Sequence, residues 1–219
     1  MNFSRLKQEL GFPTHDNALA ALGGQWINDA ILELAGDFEL PKLRLKTPTT
    51  LTVTEDDWLY DLPDTYHKKL FKVRDSDGNK VSIFKDIGVI DNLDYDHDET
   101  GDNVTVVAFE ENKIAIFPKA AEELSLWFYR LPVAMSVDGD EPDGIPSSYH
   151  ERVILPKVII KNFRLLMDMS VDMPHKSLDY WKDRYQEGLY GNLHGDVGMI
   201  NFFAKSKRIK RHGGRNPLP

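Results

Sequence analysis

The chain has 219 residues, 41% apolar and 28% charged, the balance of a folded protein with one good core or a core plus a smaller lobe. It has no cysteine, which excludes disulfides, thiol nucleophiles and Cys-ligated zinc or iron–sulfur sites, and which fits folding in a reducing cytosol. The net charge of −8 is unevenly placed: Lys205, Lys207, Arg208, Lys210, Arg211 and Arg215 put +6 after residue 199 with no Asp or Glu, leaving −14 for the rest. An acidic body with a basic end points to different partners for the two parts, the alternative being a solvated tail that aids solubility.

The opening "MNFSRLKQELGF" lacks the continuous apolar core of a signal peptide. No run approaches the roughly 20 apolar residues of a membrane span, so a soluble protein made in the cytoplasm is expected. Residues 14–38 read as helix, with Leu19, Leu22, Trp26, Ala30, Ile31, Leu34 and Phe38 on one apolar face. Thr14 or Asp16 can cap its start and Gly36 suits its end. The pair Gly23–Gly24 costs about 1 kcal/mol per glycine against alanine, which predicts a break or a close helix–helix contact there.

From 43 to 131 the pattern turns to β. "TTLTVT" and "DWLYDLP" are short strands, and "KLFKVRDSDGNKVSIF" reads as a hairpin turning at Asp77–Gly78. "NVTVVAFEENKIAIF" reads as a second hairpin around Glu111–Asn112. In "ELSLWFYRL", Leu124, Leu126 and Phe128 alternate with Ser125, Trp127 and Tyr129, so a strand covered on both faces is expected.

Helix returns after the acidic loop "SVDGDEPDGIPSS", which reads as a structural hinge. Ser148 and Glu151 have capping-box spacing, and Val153, Ile154, Val158, Ile159, Phe163, Leu166 and Met167 follow as an apolar surface. Pro156 lies inside this pattern, predicting a kink or a delayed start. A last helix is expected from Pro174 to Leu189, with Leu178, Trp181, Tyr185 and Leu189 on one face. The remainder carries five glycines and no helical stripe, and is expected to be mobile alone in solution.

The fold class expected is α+β: a helical bundle formed by N- and C-terminal helices with an inserted antiparallel β lobe and an extended C-terminal arm. Its parts are 1–42 and 136–191 for the bundle, 43–135 for the β-rich lobe and 192–219 for the arm.

Chemical signatures are absent. Asp94, Asp96 and Asp98 alternate like the start of a calcium loop, but Glu99 and Thr105 stand where such a loop needs Gly and Glu. The histidines (His15, His67, His97, His150, His175, His194 and His212) fall in no metal-ligand spacing, and His150 reads as a packing or capping residue. No nucleophile elbow, phosphate loop or dinucleotide fingerprint appears. Trp127–Phe128–Tyr129 could stack on bases, but lacks the interleaved cations of such a platform apart from Arg130. The reading is no enzyme, with no catalytic, cofactor-binding or metal site. The tail alone is specific: Met199, Ile200, Phe202 and Phe203 precede the six cations, an arm whose aromatics anchor and whose cations seek an acidic groove. The alternative folds Phe202 and Phe203 back onto the protein's own core.

The stretches "DWLYDLPDTYHKKLFKV", "IAIFPKAAEELSLWFYRLPVAMS" and "DGIPSSYHERVILPKVIIKNFRLL" resemble tailed-phage head–tail adaptor proteins (head-to-tail connectors), of the tail tubular protein A type. The resemblance rests on Leu62–Pro63–Asp64, Pro118, Leu124 and Leu126 with Phe128–Tyr129, Pro132, and Pro146 before Ser148. Pro156 and the acidic loop at 91–102 depart from the pattern. The resemblance implies a non-enzymatic virion subunit at the head–tail junction, in a dodecameric ring that joins the portal to the tail and continues the DNA channel. Phe202, Phe203, Lys205, Lys207, Arg208, Lys210, Arg211 and Arg215 would form the portal-binding arm. The β lobe would meet the downstream tail or nozzle protein. Genomic DNA would pass an acidic channel without specific binding, and no membrane is involved. The alternatives are another neck or tail component, such as a tail terminator, or a nucleic-acid-binding module using the basic tail.

Overall fold

The computed structural model describes residues 1–10, 17–168, 176–192 and 196–204, with the backbone alone at 17–20. It separates into two compact units, one of Met1–Lys42 with Pro132–Pro219 and one of Leu43–Leu131. The chain is α+β, with long helices in the first unit and the sheets in the second.

The second unit holds two facing sheets. β1 (Thr49–Val53), β7 (Glu122–Arg130) and β3 (Tyr66–Arg74) form one, in the order β1-β7-β3. β2 (Leu59–Asp61), β6 (Lys113–Phe117), β5 (Val106–Glu110) and β4 (Ser82–Phe84) form the other, in that order. Alternation decides what lies between them. Leu124, Leu126 and Phe128 of β7 are fully buried and share one cluster with Val107, Phe109, Ile114 and Ile116 of the facing sheet. On the other face of β7, Tyr129 is buried while Ser125 and Trp127 are half-buried, so that face is less fully covered than expected. Ala108 and Ala115 point away from the shared core and pack with Ile90 of a short helix α3 (Gly88–Leu93) and with Trp58. Glu122 is almost wholly buried and accepts hydrogen bonds from the backbone N–H of Ser76 (2.9 Å) and Val104 (2.5 Å), pinning two loops to β7.

The first expected hairpin is only partly one. Gly78 alone takes a positive φ (+84°), and Asp77 does not share it. Gly78 N–H donates to Asp75 O (3.1 Å) and Asp75 N–H to Asn79 O (3.2 Å), a three-residue loop with glycine in the left-handed position. After Val81 N–H bonds Val73 O (3.2 Å) the strands part: β3 pairs with β7, whereas β4 pairs with β5 in parallel. Val81, buried at the corner, and the half-buried Ile83 both join the common core, so the chain gains more by crossing between sheets than by extending the hairpin. The sheet expected to be antiparallel is therefore mixed. The second hairpin forms as read, β5 against β6, with Glu111 at φ +51° in the turn.

In the helical unit, α1 (Phe3–Glu9) has no counterpart in the sequence reading. Asn2 caps it by accepting from Arg5 N–H, and Phe3, Leu6 and Leu10 are buried at three- and four-residue spacing. α2 (Asn17–Asp37) buries Ile27, Ala30, Ile31 and Leu34, and Gly36 lies inside it rather than at its end. The caps Thr14 and Asp16 lie outside the described residues. Gly24 gives the close contact its glycine pair implied: a methyl there would stand 2.7 Å from Phe3 Cζ of α1.

The predicted capping box is not made. Ser147–Tyr149 forms a 3-10 turn and His150–Ile154 a π-helical turn, neither capped by a side chain, and regular helix α4 (Leu155–Asp168) starts only afterwards. Pro156 explains the delay, because it tolerates the first helical turn and has no N–H to give Arg152. The kink itself falls at Asn162 (φ −110°, ψ 16°), whose side chain donates to Val158 O (3.0 Å). Met167, expected on the apolar surface, is exposed, whereas its neighbour Leu166 is fully buried. The last helix, α5 (Leu178–Tyr190), is capped by Ser177, which accepts from Tyr180 N–H (3.2 Å), and Pro174 lies outside the described residues.

Candidate interaction surface

Residues beyond α5 are the ones the sequence marks for a partner. Gly191 takes φ +96°, which turns the chain back, and Gly198 packs so closely that a methyl would meet Gly191 N at 2.2 Å. The returning segment is tied down by polar contacts. Arg152 pairs with Asp196 (3.0 Å), Asn192 donates to the same carboxylate (2.9 Å), and Tyr149 Oη donates to Val197 O (2.9 Å). Burial raises the Tyr149 phenol, with Arg152 opposing, so it serves as a neutral donor.

Residues 199–204 then form a short helical turn. Met199 is fully buried, and Asn201 donates to Tyr190 O at the end of α5 (2.8 Å). Phe202 stacks at a tilt on Tyr149 (centroids 5.8 Å) and meets Phe203 edge-on (5.7 Å), yet it remains 42% exposed. Within the stretch expected to be mobile, the described residues up to Ala204 are held against the fold, Met199 most deeply, with Phe202 exposed and Phe203 half-buried. Lys205, Lys207, Arg208, Lys210, Arg211 and Arg215 lie outside the described residues. Tyr149, Arg152 and Asp196, which hold this anchor, were not singled out in the sequence. The Gly191/Gly198 pair was the available signal.

The acidic loop before α4 is occupied by its own backbone. Asp140 accepts from the N–H groups of Ser136 (2.7 Å) and Val137 (2.9 Å), bonds that hold its carboxyl below the usual range. Asp143 accepts from Val133 N–H (2.9 Å), and Asn28 of α2 exchanges two bonds with Met135 (both 3.0 Å). These carboxylates fix a turn. His150, the buried histidine, lies against Ile145 O through Nε2 (2.8 Å) and against the carbonyl (2.9 Å) and nitrogen (3.1 Å) of Met1 through Nδ1. Ile145 O only accepts, so in the neutral ring Nε2 carries the proton and Nδ1 accepts from the Met1 nitrogen. Burial lowers the ring's pKa.

A charged patch covers the contact of α2, α4 and α5. Lys157 lies 3.2 Å from Asp37 and 3.3 Å from Glu33, and Lys161 also pairs with Glu33. Burial would lower the Lys157 ammonium, but Tyr185, Asp37 and Glu33 outweigh it and raise its pKa. Bonding from Lys161 lowers that of Glu33. Among the described residues no cluster of His, Asp or Glu is arranged for a metal ion. Asp94 of the acidic loop instead accepts from Glu99 N–H (2.9 Å). His97 stacks on Trp58, and His67 lies in β3. No described helix is long and apolar enough to cross a membrane.

Among the described residues the geometry offers packing anchors and charged surfaces. The family model of the SU10 adaptor protein matches residues 1–197. The chain belongs to the SU10 adaptor protein family. It is thus a member of a family of phage head–tail adaptors, which are structural proteins. No match to a curated protein was found. The adaptor match spans both compact units and stops just before Met199, so the helical turn at 199–204 and the cationic end lie beyond it.

Proposed function

We propose that this adaptor forms a ring, dodecameric in its full form, that joins the portal to the tail in the virion and continues the DNA channel. The observation carrying the reading is the family match across both units. The cationic end would reach the portal protein, with Phe202 and Phe203 at the root of the arm and the six cations beyond it. The β unit would face the downstream tail or nozzle protein. The −14 body would let genomic DNA slide past without being gripped, because like charges do not attract.

Met199 belongs to the fold, so the arm is best cut after Ala204 rather than before Met199. Light scattering of the full chain, alone and mixed with its cognate portal protein, should show a monomer or small species that becomes a multi-copy ring on the portal. The chain ending at Ala204 should keep its fold and lose portal-dependent assembly. Full assembly of the truncated chain would remove the arm from the reading. Absence of any multi-copy species with portal would remove the ring.

A further inference from the structure

The β unit carries a surface that the sequence reading did not separate from ordinary strand residues. A groove of about 300 Å³ is lined by Arg44, Phe71, Lys72, Arg74, Lys80 and Ile83, among others. Four cations thus gather in a chain whose net charge is −8. Among the described residues none of the four has a carboxylate partner. Arg44 lies over the Phe71 ring (4.1 Å), Lys72 over Trp127 (3.9 Å), and Arg74 donates to Gly78 O (2.6 Å). These contacts hold the cationic heads in place without neutralising them.

The complementary surface is on the same unit. The loop after α3 has a set conformation: His97 stacks on Trp58 (3.7 Å) and bonds Asp91 (3.1 Å), and Lys119 N–H donates to Glu99 O (3.0 Å). From it projects Tyr95, 85% exposed, flanked by exposed Asp96 and Asp98, with Asp102 nearby. None of these three aspartates meets a cation among the described residues.

We propose that the groove at Arg44, Lys72, Arg74 and Lys80 receives the acidic loop 94–102 of a second copy of this chain, joining copies head to tail through their β units. Charge complementarity selects this occupant, and the apolar lining at Phe71 and Ile83 suits Tyr95. The placement of the two surfaces fits it. Lys72 and Arg74 pair with Trp127 and Ser125 on the outer face of the three-stranded sheet. The loop lies over the outer face of the four-stranded sheet, where Trp58 and Ile90 pack on Ala108 and Ala115. The groove also takes in Val73, Val81 and Ile83 of the common core, so it opens at the β3–β4 edge of the unit, while the loop sits over the four-stranded sheet; two distinct surfaces on one unit are what a head-to-tail contact needs. A DNA backbone would match the cations but not the apolar lining, and the acidic body would repel it. The inference rests on the ring reading and names the contact within it.

The absence of cysteine gives a clean test. A full-length chain carrying both Lys80→Cys and Asp98→Cys, assembled alone or on portal and treated with a short bis-maleimide, should give a ladder of covalent oligomers on a denaturing gel. A mixture of the two single variants should stop at dimers. Adding Lys72→Glu and Arg74→Glu should reduce the ladder by about tenfold or more, with unchanged circular dichroism showing that the fold survives. Rings that assemble normally but give no ladder, or a ladder indifferent to the charge reversal, overturn the contact and leave the ring reading standing. A chain that never forms a multi-copy species overturns both. Unchanged assembly, with a short DNA duplex whose binding is lost in the charge-reversed variant, makes the groove a nucleic-acid site and overturns the proposal.

Discussion

In the β unit, side chains from two sheets reach into one another, and Leu124, Leu126, Phe128, Ile114 and Ile116 leave almost no surface exposed. The helical unit also has buried aliphatics, but several of its closest approaches occur where a side chain is missing. Gly24 faces the Phe3 ring, Gly188 faces the Arg152 carbonyl, and Gly198 lies on the backbone at Tyr190 and Gly191. One unit is therefore vulnerable chiefly to the loss of atoms and the other to their addition. Pro156 has no N–H to give the Arg152 carbonyl, and that oxygen faces Gly188 of α5.

Phe128→Ala should be the most damaging change, costing about 3–5 kcal/mol as a cavity opens between the sheets. Urea denaturation would read it, and a cost under 1 kcal/mol would mean that the sheets simply close up. Gly188→Ala should follow at about 2–3 kcal/mol, since the new methyl would stand 2.1 Å from Arg152 O. Gly36→Ala is the control: nothing lies within 4 Å of its Cβ position, so the same change inside α2 should be neutral or stabilising by up to about 1 kcal/mol. Hydrogen exchange should show protection lost in α4 and α5 of the Gly188 variant while β5 to β7 keep theirs. Equal loss in both units would defeat the contrast.

The β core was the more legible part because its signal is periodic and local. The alternation along "ELSLWFYRL" separated two faces, both expected to be covered; Leu124, Leu126 and Phe128 are, while Ser125 and Trp127 on the other face are only half-buried. What escaped was pairing: β4 looked like the return strand of a hairpin, and only the pull of the common core on Val81 and Ile83 shows why it crosses to β5 in parallel. In the helical unit the apolar stripes were legible in α2 and α5. The local capping rule failed at Ser148, where Pro156 delays regular helix by a turn. α1 was missed because seven residues carry too short a stripe, and it is held by tertiary partners. The charge contrast of the tail was visible, but its anchor was not, since Tyr149 and Arg152, which hold Val197 and Asp196, lie 48 and 44 residues away in sequence. The basic groove escaped because Arg44 is far from Phe71 in sequence and reaches its ring only through strand packing, although Lys72, Arg74 and Lys80 share one local turn.

The smallest addition to the helical unit is a proton, and His150 is where it would go. The ring is buried, and burial holds its pKa below the ordinary 6.5, opposed by the carbonyls of Ile145 and Met1 and by Glu141, while the Met1 nitrogen adds to the lowering. The sign follows. Above pH 6.5 the imidazole is neutral whether the chain is folded or not, and its contribution to stability is fully present. As the pH falls below 6.5 the unfolded chain takes up the proton first, so stability declines until the lowered pKa of the folded state is reached, after which the loss levels off. One such proton limits the slope to about 1.4 kcal/mol per pH unit. Urea titrations at stepped pH should show this decline in the full chain and a flatter curve in His150→Gln, which keeps a donor for Ile145 O but cannot titrate. Hydrogen exchange at α1 should rise in the same window, because Met1 and Phe3 are held beside His150 and the Asp140 carbonyl. An identical slope in His150→Gln would assign the pH dependence to the carboxylates instead, and the helical unit would then be no more sensitive to an added proton than the sheets.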